Sequence, residues 1–443
     1  MPSAVFPVNK LTVQQLPLLL VLVAGLQFFV GILEPFLVQL GFSEGVVRVV
    51  RHAHQAPLGL AFILVIAMPG ALKEMGRIPR TWLIWVLVFM GLMFLMGFLR
   101  GSFLNASLLD MGVYEAFAVC VVVGSRIENW RWIDRYLRVI FYLSALLMVT
   151  ELVAIERAVR AEVTDSVAYQ IRAVLYAWPY MFLTIALVKP GERMMTALGL
   201  ILVVVMFVIF QKRAPTVRFA VALLIFIAIL PGINVRRRGV LRLSALVATI
   251  SIFIGVSYVS KLGDDASNLV SKSSVALADR FQSSGNLLKT ITTENERWIE
   301  VGFFFEDADA VELAIGKGFG GAVEVPWWWP VGMEITESGR TYYGIYSMHI
   351  GLTHALLKGG LLFWLLFFGG WVVFLYRFRR YKDDPRALAA WGVLLLNLLF
   401  MTVETLWGPG NVVLVMLLGF CVGYLSQRRF WETPQPSAPA EPS

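Results

Sequence analysis

The sequence predicts an all-α polytopic membrane protein of about 12 transmembrane helices, with one large extracytoplasmic loop between spans 9 and 10. Three observations predict it. Of 443 residues, 58% are hydrophobic and only 15% charged, against about 25% charged in a typical soluble chain. The mean hydropathy is +0.72. Apolar runs close to the roughly 20 residues that cross a hydrocarbon core recur along most of the chain. One water-soluble core cannot bury that much apolar surface, so a cytosolic enzyme is excluded, as are intrinsic disorder, a collagen-like repeat and a disulfide-stapled domain.

The spans read, in order, as 16–40, 56–72, 81–99, 106–124, 134–154, 168–188, 194–211, 216–233, 240–260, 346–376, 387–406 and 410–427. The first has no small-residue cleavage site behind it and reads as a retained span. Residues 261–345 break the rhythm with an 85-residue stretch rich in Gly, Ser, acids and Trp. The chain therefore divides into nine spans over 1–260, a large loop over 261–345, three spans over 346–427 and a tail over 428–443. Cys120 and Cys421 both sit inside apolar runs, which argues against a disulfide framework and a cysteine metal site.

Charge orients these spans. With an even number, both termini share a side, and 21 Lys and Arg fall on that side against eight in the opposite short loops. Cytoplasmic loops carry the excess of cations, so both termini are expected in the cytoplasm and the large loop outside. That loop holds seven Lys and Arg against thirteen Asp and Glu. The formal net charge of +8 is then mainly a topology signal, and nucleic acid is not an expected partner.

Helix rise places the outward charges in depth. Counted from the cytoplasmic cations of their own spans, Arg172, Arg213, Arg218, Lys358 and Glu404 all fall at about 26–30 Å, with His354 near 34 Å and His349 near 42 Å. Ionisable groups at the edge of the core mark a site or snorkel to the interface. The short connection Lys212-Arg213-Ala-Pro-Thr-Val-Arg218 crowds three cations at a helix start, with Pro215 suited to the first turn. Helix N-termini and guanidinium groups both suit phosphate. Arg48 and Arg51 belong to a separate stretch that Ser43 would cap as a short interfacial helix, with His52 and His54 beside it in solvent.

Other signals carry less. Gly316-Lys-Gly-Phe-Gly-Gly321 lacks the Ser/Thr and preceding strand of a phosphate cradle and reads as a flexible turn. The acidic run Glu306 to Glu312 matches no calcium loop and reads as a solvated helix face. Trp327-Trp328-Trp329 suits either a sugar or the membrane interface. Glu34, Asp110, Glu115 and Glu151 lie within spans, as partners for buried arginines or for neighbouring helices.

Three stretches between Phe210 and Leu425 resemble the O-antigen ligase/O-antigen polymerase superfamily of membrane glycosyltransferases. Lys212-Arg213-Ala-Pro-Thr is similar to that family's Ser-Arg-Gly/Thr segment at an outer hairpin. Arg297-Trp298 followed by Gly316-Lys-Gly-Phe-Gly320 is similar to its Arg-x-x-x-Trp and Gly-rich run, although here Trp directly follows Arg. His349-Ile-Gly-Leu-Thr-His-Ala-Leu-Leu-Lys-Gly-Gly360-Leu-Leu resembles the His-Asn-x-x-Leu-x-x-Leu-x-x-x-Gly-Leu-Leu stretch after the large loop, with Ile350 for Asn and Lys358 where Glu is common.

The resemblance implies a GT-C-like transferase without a metal or other cofactor, in the bacterial inner membrane. It would move a glycan from undecaprenyl diphosphate to an acceptor sugar at the outer face, either a second lipid-linked glycan or a lipid A core. Arg213 would bind the diphosphate with Lys212 and Arg218, and Arg172, Arg297, His354, Lys358, Arg48 and Arg51 would contact substrate. His349 would take the acceptor hydroxyl, and Glu404 would orient it or the substrate. The competing class is a transporter or lipid-linked glycan flippase, whose charges are expected nearer the midplane.

Overall fold

A computed structural model describes residues 53–68, 70–102, 104–141, 295–327, 332–337, 340–379, 384–402, 407 and 412–432, with scattered positions in 20–46 and 221–225. The spans expected at 16–40, 168–188, 194–211, 216–233 and 240–260 fall wholly or mostly outside these residues. What is described is mostly helical and belongs to a membrane protein. Three helices are long and apolar enough to cross a bilayer: α2 (Arg77–Leu99), α3 (Leu104–Gly124) and α6 (Gly351–Phe378). Shorter apolar helices are α1 (Gln55–Ala67), α7 (Pro385–Phe400) and α8 (Val412–Leu425).

Helix α8 is the hub. It is apolar all round and every one of its residues is buried, as a helix without a polar face must be. Its closest partner is α3, and small residues allow the approach. A Cβ on Gly419 would lie 2.6 Å from the carbonyl oxygen of Phe117, and one on Gly423 would lie 2.3 Å from that of Val121. Helices that gain nothing from burying apolar surface in lipid associate through such close contacts. Asp384 starts α7 by accepting from the amides of Arg386 and Ala387 (2.9 and 3.2 Å), and Pro385 supplies the favoured first residue. The same carboxylate accepts from the Tyr424 hydroxyl at 2.9 Å, tying the start of α7 to the end of α8.

Aromatic rings fill the space between α2, α3, α6 and the segment at Trp407. The Phe367 ring lies 5.0 Å from Trp407, 5.1 Å from Trp371 and 5.6 Å from Phe117. Outward, α2 exposes Trp85, Val88, Leu92 and Leu95, and α6 exposes Leu361, Leu362, Leu365 and Val372. Such faces suit lipid and not water.

Residues 295–350 build a module on one end of this bundle, termed the loop end below. It contains α4 (Asn295–Asp307), α5 (Ala310–Ile315) and a sheet of β1 (Val323–Glu324), β2 (Met333–Glu337) and β3 (Arg340–Ile345). The order is β1-β3-β2, antiparallel throughout, with Val323 opposite Ile345 and Ile335 opposite Tyr342. Phe304, Val323, Val325, Ile345 and Met348 form its core, closed by Leu357 of α6. An all-α reading omits this sheet. Its strands are short, and the alternation in Met333-Glu-Ile-Thr-Glu is hidden inside a stretch whose overall composition reads as loop. Likewise α6 begins at Gly351, because residues 346–350 still connect β3 to the helix. His54, expected in solvent, is buried just before α1.

Candidate functional site

Helix α5 is short and held by both ends. Asp309 caps it, its side chain accepting from the Glu312 amide at 2.7 Å while Glu312 reaches back to the Asp309 amide. Its acids are not merely solvated. Glu312 pairs with Arg100 at the end of α2, and Lys317 pairs with Asp307 and, at 3.6 Å, with Glu312. These pairs draw α5 and the chain beyond it down onto the bundle.

There the glycine-rich segment enters α6. The helix is interrupted at Gly360, whose φ of 64° is open to glycine and costly for other residues. At the break, the carbonyl of Leu357 accepts from the Lys317 amide at 2.7 Å and that of Lys358 from the Gly318 amide at 3.0 Å. Gly316 and Gly360 interlock, since a Cβ on Gly316 would lie 2.4 Å from the Lys358 carbonyl oxygen. Further along, the Phe319 amide donates to the Met93 carbonyl of α2 (2.9 Å), and the Ser107 hydroxyl donates to the Phe319 carbonyl (2.9 Å). The Phe319 ring is fully buried, 5.3 Å from Tyr114. The segment expected to be a flexible turn is thus a packed key. Irregular backbone at membrane depth needs protein partners for its polar groups, and glycine lets the partners come close enough.

One ion pair locks the key. The Lys358 ammonium lies 2.6 Å from Asp110 of α3 and donates to the Gly321 carbonyl at 2.9 Å. Asp110 also accepts from the Gly320 amide at 2.9 Å. Lys358 is 0% exposed and His354, one turn before it, 1% exposed. His354 Nδ1 accepts from the Met348 amide at a long 3.4 Å. Both residues, expected to contact substrate, are buried at the seat of the module with their polar atoms turned towards backbone and carboxylate. The in-span acid with no role read from sequence, Asp110, is the partner.

Above the seat lies His349, just before α6 begins. Glu300 of α4, 1% exposed, holds it twice. Oε2 accepts from the His349 amide at 3.0 Å, and Oε1 sits 2.7 Å from Nδ1. The imidazole side chain is 44% exposed, and its Nε2 has no hydrogen-bond partner among the described residues. Arg297 lies three residues before Glu300 on α4, half-buried. The structure therefore gathers His349, His354, Lys358 and Arg297 at the loop end, and adds Glu300 and Asp110, which the sequence reading did not select. Arg48, Arg51, Arg172, Lys212, Arg213, Arg218 and Glu404 lie outside the described residues. Among the described residues, no group of three or more His, Cys, Asp and Glu side chains is placed to hold a metal.

Fold and site together define a helical membrane protein with a small α/β module keyed into a broken helix, presenting one anchored histidine. No family model, curated protein or solved structure matches the chain.

Proposed function

We propose that the protein is a membrane glycosyltransferase of the O-antigen ligase/polymerase type. It moves a glycan from an undecaprenyl-diphosphate carrier to an acceptor sugar at the outer face of the bacterial inner membrane, with both termini cytoplasmic and the 295–350 module outside. The observation that carries the reading is the setting of His349. Its imidazole is anchored by a buried carboxylate, partly exposed at the loop end, and keeps one ring nitrogen available. That suits a group which accepts the proton of an incoming hydroxyl. The likeness of the 212–216, 297–320 and 349–362 stretches to the family supports the same reading.

In this mechanism Arg213, with Lys212, Arg218 and Arg172, holds the diphosphate and offsets its charge as it leaves. Arg297, on the same helix as Glu300, adds a cation near the acceptor side. Arg48 and Arg51 contact the lipid-linked donor from the interface, and Glu404 orients substrate. No step is assigned to a metal.

Reconstitution with a lipid-diphosphate oligosaccharide and candidate acceptors tests the reading. His349→Ala and Arg213→Ala are each expected to abolish glycan transfer, a loss of at least about 100-fold, while the protein inserts normally. Normal product from both variants would overturn the assignment. An oligosaccharide that crosses the bilayer and never changes size would identify a transporter.

A further inference from the structure

We infer that Glu300 is a positioning residue: its carboxylate sets the tautomer of His349 so that Nε2 presents a lone pair to the attacking hydroxyl. The identity of that hydroxyl rests on the glycosyl-transfer reading. The tautomer rests on the contact geometry with Glu300 as a carboxylate.

A carboxylate has no proton to give, so both of its hydrogen bonds here are accepted ones. The bond from the His349 amide to Oε2 (3.0 Å) fixes the backbone at the start of α6. The 2.7 Å contact between Oε1 and Nδ1 requires the ring proton to sit on Nδ1. In a neutral imidazole the other nitrogen is then bare. Burial gives the arrangement a direction, because Glu300 is 1% exposed and the His349 side chain 44%. The proton faces the protein interior and the lone pair faces out. One carboxylate gripping both the amide and the ring also leaves the imidazole little freedom to turn over.

This is what the transfer step needs. The acceptor oxygen bonds to the anomeric carbon of the donor while its proton passes to Nε2. The carbon–oxygen bond to the lipid diphosphate breaks, and its electron pair leaves on the diphosphate. The imidazolium so formed stands against the Glu300 carboxylate, which stabilises it until the proton is released to water, the part a buried acid plays behind a catalytic histidine elsewhere. With the opposite tautomer an N–H would meet the hydroxyl, and no proton could be taken.

Glu300→Gln separates this role from a structural one. Its side-chain oxygen still accepts from the His349 amide, whereas its NH2 group donates to Nδ1 and drives the ring proton onto Nε2. Full-length protein with histidine labelled in the ring nitrogens, in lipid nanodiscs, gives the readout by magnetic resonance. The chain has only 4 histidines, and the signal missing in His349→Ala assigns His349. Wild type is expected to carry its proton on Nδ1 with Nε2 bare, and Glu300→Gln the reverse. Transfer kcat from a lipid-diphosphate oligosaccharide is expected to fall about 100-fold or more in Glu300→Gln, with KM for the donor unchanged. A wild-type proton on Nε2, or normal kcat in the reversed variant, overturns the positioning role. Should Glu300→Gln not fold, the wild-type spectrum alone decides the tautomer. Wild-type protein that shows the expected tautomer and transfers no glycan overturns the glycosyl-transfer reading instead.

Discussion

The two halves of α6, on either side of Gly360, solve the same problem in opposite ways. From Leu361 to Phe378 the helix buries Phe363, Phe367, Trp371, Phe374 and Phe378, and its neighbours answer with rings. From Gly351 to Gly359 it buries Thr353, His354 and Lys358, and its neighbours answer with backbone amides, a carbonyl and a carboxylate. Rings tolerate repacking because dispersion and burial have little direction. Polar seats are directional, and an unmatched group inside them is costly. The ring half thus supplies general cohesion, while the polar half specifies one position for the module that carries Glu300 and His349.

The largest expected effect breaks the polar half at its ion pair. Lys358→Ala strands Asp110, and Asp110→Ala strands Lys358, each in a buried setting where breaking a pair costs about 3–5 kcal/mol. Replacing both, as Lys358→Met with Asp110→Leu, is expected to recover much of that loss, since two apolar groups need no partner. Thermal unfolding in detergent across the four proteins measures the coupling. Additive losses would mean that the two charges are stabilised by other groups.

Next in size is the glycine at the break itself. Gly360→Ala puts a Cβ 2.4 Å from the backbone of Ala314 and Gly316 on a residue with φ of 64°. The backbone there, with φ of 64° and ψ of −174°, lies in a region essentially reserved for glycine and alone costs alanine about 1–3 kcal/mol, before the clash. Limited proteolysis is expected to cut the glycine-rich segment in this variant and to spare it in wild type. Gly369→Ala, in the ring half, makes the contrast. Its Cβ would meet nothing within 4 Å, so helix propensity favours alanine and the variant is expected to be unchanged or slightly stabilised. Equal cleavage of both variants would remove the distinction between the halves.

The ring half was far more legible from sequence than the polar one. Apolar runs announce spans through composition alone, which is why α2, α3 and α6 fall close to 81–99, 106–124 and 346–376. A glycine pair inside such a run reads as helix, and the break at Gly360 becomes visible only once residues 316–321 arrive from the loop. Lys358 and Asp110 are separate in-span charges in sequence, with several other acids available as partners, and only tertiary packing matches them. His349 was a candidate in the sequence through the resemblance of the 349–362 stretch, whereas Glu300 became one only once α4 was folded against the start of α6. Its one clue was position, three residues after Arg297 in a stretch already of interest.

The smallest expected loss tests whether the ring half is held by rings alone. Trp82 of α2 donates from its indole nitrogen to the Leu366 carbonyl at 3.0 Å. It can reach that carbonyl because position 370 is glycine, where a Cβ would lie 2.1 Å from the same nitrogen. Its ring also stacks on Phe367 and meets Phe374 edge-on, at 6.1 and 5.5 Å. Trp82→Phe keeps an aromatic ring against both phenylalanines and deletes the donor. The expected cost is about 1 kcal/mol, the usual net worth of one hydrogen bond, and well below that of Lys358→Ala. A loss as large as the ion-pair variant's, read by the same thermal unfolding, would mean that α2 and the ring half depend on a directional polar contact after all. Hydrogen bonding would then be the common rule on both sides of Gly360, and the contrast between the halves would reduce to how many such bonds each one makes.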